Sequence, residues 1–203
     1  PLPLYIKPTS QIGFDDVMTA MGDHYDNTPL NMISDPGAGA FQSPYRPRPL
    51  AWEYDGKKYF NERPVGTQQS SFSVISQMRS TMPNPIGGIL WFANDDTHTS
   101  PYTPVYCCAT EVPECYTLKH GNAIKFSLKS AFWVQNWVSN MVYPRYTQIY
   151  PDVKKAIGRL HDKHFSSQGK IETEAAELLK TNPQKAIEYL TAYSNAMADE
   201  MME

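Results

Sequence analysis

A chain of 203 residues with 41% hydrophobic and 12% aromatic content is long enough to bury a core and too apolar for disorder. Its 18 basic against 21 acidic residues, a net charge of -3, leave no broad positive field, which argues against nucleic acid and against an anionic membrane surface. Apolar stretches such as 88–93 are too short to cross a bilayer.

The expectation is one domain spanning 1–203, with a loop-rich part at 1–48, an antiparallel sheet at 49–126 and a helical layer at 127–203. In the first part, Phe14, Val17, Met18 and Met21 recur at helical spacing and predict a helix over 14–25. Asp15 and Asp16 fall in its first turn, where negative charge favours the positive end of the helix dipole, so capping is their expected role. The run Asp35-Pro36-Gly37-Ala38-Gly39-Ala40 reads as a turn and lacks the lysine and spacing of a phosphate-binding loop.

Strand signals dominate the middle. Asp55-Gly56 between 52–54 and 57–60 supplies the positive backbone angles of a two-residue hairpin turn. Further strands are expected within 67–78, 88–93 and 103–109, of lengths that suit an antiparallel sheet. Trp91 is assigned to the core.

The last third is helical. A core helix is expected over 130–143, with Ser130 as its cap and Pro144 after its end. A second helix should begin at Pro151 and a third at Pro183 with Asn182 as cap, each placing proline where its missing N–H is not needed. Ile187, Leu190 and Met197 share one face of the last helix, with Tyr193 or Ser194 beside them.

Candidate chemistry is sparse at the level of single motifs. Cys107, Cys108 and Cys115 lack zinc-site spacing and read as buried thiols, with Cys115 also able to bridge a neighbour. His161 and His164 stand three apart and could reach one metal, but two ligands make an incomplete site, so a solvated helix face is the expectation and no cofactor is assigned. Asn94-Asp95-Asp96-Thr97-His98 follows an apolar strand, where carboxylates and an imidazole could face a cleft, although turn chemistry explains the same residues. The amine of Pro1 is set aside as a tautomerase base, because a long loop-and-helix region follows it. No leader or lipidation pattern is visible, which favours the cytoplasm, yet a chain opening without methionine leaves room for a lost amino-terminal signal.

A longer series of residues carries a family resemblance. Ser34-Asp35-Pro36-Gly37-Ala38-Gly39-Ala40-Phe41-Gln42-Ser43-Pro44-Tyr45-Arg46, Asn61-Glu62-Arg63-Pro64, Thr67-Gln68-Gln69 and Ile86-Gly87-Gly88-Ile89-Leu90-Trp91-Phe92 resemble the cysteine dipeptidases of the dipeptidase A type. The likeness continues through Asp95-Asp96-Thr97, Pro104-Val105-Tyr106, Val112-Pro113 and Ser130-Ala131-Phe132-Trp133, then weakly to the carboxy terminus.

This resemblance implies an α+β fold, part of an αββα sandwich of the N-terminal-nucleophile hydrolases, with a helical carboxy-terminal extension. It implies a dipeptide substrate and a processed amino-terminal cysteine whose own α-amine accepts the proton. None of the three cysteines here matches that nucleophile. The expectation is therefore a carboxy-terminal portion, inactive alone and completed by an amino-terminal segment. The alternative is a non-catalytic module docking another chain through its sheet edge or last helices. A homo-oligomer is compatible with either reading.

By residue type, Gln68, Gln69 and Ser71, placed in one polar strand, could orient a substrate amide, and Arg63 and Arg79 could clamp its carboxylate. Against this, the glutamines could satisfy backbone groups and Arg63 could pair with Glu62.

Overall fold

The computed structural model describes residues 3–46, 51–61 and 63–203; the Pro1 amine and any pairing of Arg63 with Glu62 lie outside them. The elements in order are α1 (Phe14–Met21), β1 (Ala51–Tyr54), β2 (Lys57–Phe60), β3 (Phe72–Met78), the single-turn α2 (Asn84–Gly87), β4 (Gly88–Asn94), β5 (Thr103–Tyr106), α3 (Ala131–Val142), α4 (Tyr146–Thr181) and α5 (Pro183–Met201). The fold is α+β with antiparallel sheets, as expected. Among the described residues no helix is long and apolar enough to cross a membrane.

The expected hairpin forms around Asp55 and Gly56, whose φ angles of 48° and 67° are those its turn requires. It stands apart as a two-stranded sheet, β1-β2, exposed along both strands. The core belongs to a second sheet, ordered β3-β4-β5, in which Ile75 pairs with Trp91 and Trp91 with Pro104. Strand side chains alternate between faces. Ser73, Ile75, Ile89, Trp91, Ala93 and Tyr106 are buried, and the core they enter is closed by α4, α5 and Phe14 of α1.

Hydroxyls of α5 also close the edge of this sheet. Ser194 Oγ accepts from the Tyr106 amide at 3.1 Å and Thr191 Oγ1 from the Thr110 amide at 3.2 Å, while each donates back to its own helix, to Leu190 and Ile187. A backbone donor at the end of the edge strand, and one in the loop after it, are thus satisfied without another strand.

Several sequence expectations need correction. α1 stops at Met21, because Gly22 leaves helical geometry and Tyr25 and Asn27 take φ of 60° and 59°. Asp16 does cap it, accepting from the Gly13 amide at 2.8 Å. Ser130 occupies the cap position of α3 without a side-chain capping bond. α3 is not buried on its bulky side: Ala131, Gln135, Ser139 and Val142 face inward, while Trp137 and Met141 are exposed. Small residues let the helix sit close against its support and turn the large ones outward.

Pro151 lies inside α4 rather than starting it. The helix begins at Tyr146, where Tyr146 and Tyr150 stack together and against His98, and it runs on through one missing hydrogen bond at the proline. α5 starts as predicted, with Asn182 Oδ1 accepting from the Lys185 amide at 3.1 Å. The Pro183 that follows forces Asn182 out of helical space, which ends α4 there.

His161 and His164 do not form a solvated face: they are 7% and 0% exposed, packed behind Trp91 and Tyr102. Among the described residues no His, Cys, Asp or Glu cluster could hold a metal. All three cysteines are free, and Cys107 is exposed rather than buried.

Candidate functional site

The residues singled out for substrate contact separate into two places. Arg63, Gln68 and Gln69 meet at a crevice shared with Arg46, Asn61, Pro64 and Thr67. Gln68 and Gln69 are not in a strand, since β3 begins at Phe72 and the glutamines occupy the turn before it. Gln68 Nε2 donates to the Arg46 carbonyl and Thr67 Oγ1 donates to Gln69 Oε1. The Arg63 side chain is exposed, and its carbonyl accepts from the Tyr25 hydroxyl at 2.6 Å. Ser71 lies at the foot of β3, exposed, its carbonyl accepting from the Asp95 amide at 2.9 Å.

Arg79 is at the opposite end of β3, roughly 26 Å from Ser71 at 3.3 Å per residue. Its guanidinium is engaged in structure: it bonds Glu172 of α4 at 2.6 and 2.9 Å and donates to the Ile86 carbonyl at 2.8 Å. The structure therefore brings Arg63, Gln68 and Gln69 together and leaves Arg79 elsewhere.

One backbone segment, 22–25, ties the crevice to a larger cleft. The Gly66 amide donates to the Asp23 carbonyl at 3.0 Å, and a Cβ on Gly66 would lie 2.9 Å from the Gly22 carbonyl carbon and oxygen. Gly66→Ala is expected to destabilise the chain by about 1–3 kcal/mol, read as a lower urea midpoint, because two backbones and no flexible side chain meet there.

Gly22 lines a cleft of about 350 Å³ between α1, the 97–102 loop and α4. Met18, Ile157 and Gly158 make it apolar, Ser100, His98, Tyr150 and His161 bring polar groups, and Asp26 and Lys154 bring charges. No cysteine is among its lining residues.

Behind the cleft is a cluster that sequence spacing does not reveal. The His98 ring stacks on Tyr150 at 4.3 Å and meets His24 edge-on at 4.5 Å. Its Nε2 bonds the Tyr146 hydroxyl at 2.9 Å. Tyr45 packs against His24 and Tyr143. Asp96, fully buried, accepts from the His98 amide at 3.2 Å, and Asp95 Oδ1 accepts from Asn136 Nδ2 at 3.2 Å. The 94–98 run is thus mostly a buried anchor, with Thr97 and His98 reaching the cleft wall.

Burial sets the protonation of this cluster. It lowers His98 to about 3 and His24 to about 4, and likewise holds His164 near about 4. It pushes the Asp96 carboxyl up to about 6. The imidazoles are neutral in the folded chain but protonate near 6.5 when it unfolds, so stability is full above that pH and is lost as pH falls toward their folded values. Asp96 acts oppositely, its burial penalty easing as pH falls through about 6, and offsets part of the loss. Thermal unfolding should show a net loss on the order of a few kcal/mol between about pH 7 and about pH 5. A flat profile would mean that these rings are charged and paired.

Two of the cysteines, Cys108 and Cys115, differ in setting from a nucleophile. Burial raises the Cys115 thiol to about 11 and raises Cys108 as well, whereas a reactive thiol is lowered by neighbouring positive charge.

Three comparisons bear on the chain. The family model for peptidase family C69 matches residues 1–158. The chain is 24% identical over 198 residues to "Dipeptidase A" of Lactobacillus helveticus, covering 97% of this chain and 36% of that protein. It is 21% identical over 200 residues to "Probable dipeptidase" of Latilactobacillus sakei, again covering 97% and 36%. The chain thus spans about a third of the length of the curated relatives it matches.

Proposed function

Since this chain belongs to peptidase family C69, we propose that it is the carboxy-terminal portion of a cysteine peptidase that hydrolyses dipeptides, its nucleophile carried on a separate amino-terminal segment. The observation that carries this reading is the match of both dipeptidases along 97% of the chain. In this reading the cysteine thiolate attacks the peptide carbonyl and its α-amine takes up the thiol proton. The tetrahedral intermediate then collapses to a thioester, expelling the protonated amine of the second residue, and water releases the first as a free acid.

The described chain contributes contacts to that chemistry. Arg63 faces the substrate carboxylate, and Gln68 and Gln69, beside it in the crevice, orient the amide. Ser71 adds a hydroxyl at the foot of β3. Arg79 serves the scaffold, because its guanidinium is committed to Glu172.

Support for completion by a further segment comes from the outer face of the core sheet. Phe72 and Met78 are 62% and 63% exposed there, with Val74 and Leu90 also open. An apolar sheet face of this kind calls for a covering layer. The same face favours a second reading, a non-catalytic module docking another chain.

Activity separates the two. Dipeptide hydrolysis is measured for this chain, for the chain joined to an amino-terminal segment with a leading cysteine, and for that joined form with the cysteine changed to alanine. Only the joined, unmutated form is expected to act, and Arg63→Ala in it should raise KM by about tenfold or more, the loss of one charge-assisted contact. Activity in this chain alone would overturn the assignment of the nucleophile. Inactivity of every form, with the segment bound, would favour the docking module.

A further inference from the structure

The cleft beside α4 combines a bounded volume with two opposite charges at its rim. Asp26 and Lys154 line it and are both exposed at its rim. Both belong to the wall of one cleft, yet neither makes an ion pair among the described residues. Asp26 is held between two residues in the left-handed region, Tyr25 and Asn27, so its place does not come from an ordinary loop path.

Deeper in the same cleft, Ser100 Oγ is buried without a hydrogen-bond partner, on a residue 1% exposed. His161 Nε2 accepts from the Tyr102 amide at 3.0 Å, which leaves the ring hydrogen on Nδ1. The interior therefore offers a hydroxyl and an N–H, with Met18 and Ile157 as apolar wall. The volume of about 350 Å³ falls within the usual range for small-molecule sites.

We propose that this cleft binds a small zwitterion, a free α-amino acid or a dipeptide, with its carboxylate at Lys154, its ammonium at Asp26 and a polar group at Ser100. A ligand carrying both charges answers both rim residues, whereas a singly charged one is drawn by one and repelled by the other. Hydrophobic ligands leave Ser100 unpartnered. The site lies across the 22–25 segment from the Arg63 crevice and is separate from the contacts given to the scissile peptide. It does not rest on the peptidase reading, because it concerns binding by this chain alone.

The test is amide NMR of the 203-residue chain titrated with alanine, alanyl-alanine, alanyl-alanine amide and N-acetyl-alanyl-alanine. Alanine or alanyl-alanine is expected to shift the resonances of Gly22, Thr97–Ser100 and Lys154–Gly158, and whichever binds more tightly identifies the ligand. Lys154→Met should weaken the zwitterion at least about tenfold and should not weaken the amide, from which it removes a repulsive charge. Asp26→Asn should weaken the zwitterion likewise and should not weaken the acetylated compound, for the mirror reason. Both substitutions are at exposed positions, and each variant's spectrum reports its own folding. The proposal is overturned if neither zwitterion shifts these residues up to tens of millimolar, or if both variants bind like the parent chain.

Discussion

Replacing Glu172 with alanine is expected to destabilise the chain by about 3–5 kcal/mol, the cost of leaving a buried charge without its partner. Glu172 is 8% exposed and joins three elements. Its carboxylate takes the Arg79 guanidinium at 2.6 and 2.9 Å, the Tyr106 hydroxyl at 3.0 Å and the Gln168 amide at 3.0 Å. Arg79 comes from the end of β3, Tyr106 from β5 and Gln168 from one turn earlier on α4. Losing the carboxylate takes the acceptor from the Tyr106 hydroxyl and leaves the Arg79 charge unpaired, the costlier of the two, while the Gln168 amide keeps Gln77 Oε1 and Arg79 keeps the Ile86 carbonyl. Glu172→Gln keeps an acceptor and should cost less. Arg79→Met with Glu172→Leu should recover much of the loss, since an apolar pair leaves no unmet charge. Urea unfolding of the variants checks this; a loss below about 1 kcal/mol for Glu172→Ala would mean that water reaches Arg79 in its place.

Trp91→Ala is expected to cost about 3–5 kcal/mol and to loosen α1 in particular. Trp91 is 1% exposed at the centre of the sheet's inner face. Its ring lies 4.6 Å from Phe14 and 5.2 Å from Phe165, and its Nε1 donates to Gln77 Oε1 at 3.1 Å. α1 has no buried residue of its own and leans on the core through Phe14, Val17 and Met18, of which Phe14 packs against the indole. Removing the indole takes away the nearest ring against which Phe14 rests and one of the two donors to Gln77 Oε1. Hydrogen exchange should therefore show α1 losing protection beyond the global loss, while Trp91→Phe, which keeps a ring there, should spare α1. Equal loss in every element would mean that α1 is held by something other than this stack.

Both residues illustrate what was and was not readable in advance. Trp91 was assigned to the core from an apolar run between turn signals, and the assignment needed only local pattern. Arg79 was given a substrate carboxylate because guanidinium suits one; in the folded chain it meets a carboxylate from α4, 93 positions away. Residue type named the partner's chemistry but not the partner. The same holds at the candidate sites. Arg63, Gln68 and Gln69 are near in sequence and do come together. The cleft and its cluster draw on His24, Asp26, Tyr45, His98, Tyr146, Tyr150 and Lys154, of which only Tyr45 and His98 stood in a marked motif. The i, i+4 spacing of Tyr146 and Tyr150 was the one further local signal.

The sequence by itself determined the hairpin at Asp55-Gly56, the cap and helix start at Asn182-Pro183, the stretches that hold the core strands and the family, because each rests on the local backbone preferences or ordered motifs of a short stretch. Only the tertiary structure decided that Pro151 lies within a helix, that His161 and His164 are buried, that α3 turns its tryptophan face outward and that Arg79 belongs to Glu172. Those outcomes depend on which distant surface packs against a residue, and packing energy of several kcal/mol overrides preferences of about 1 kcal/mol or less.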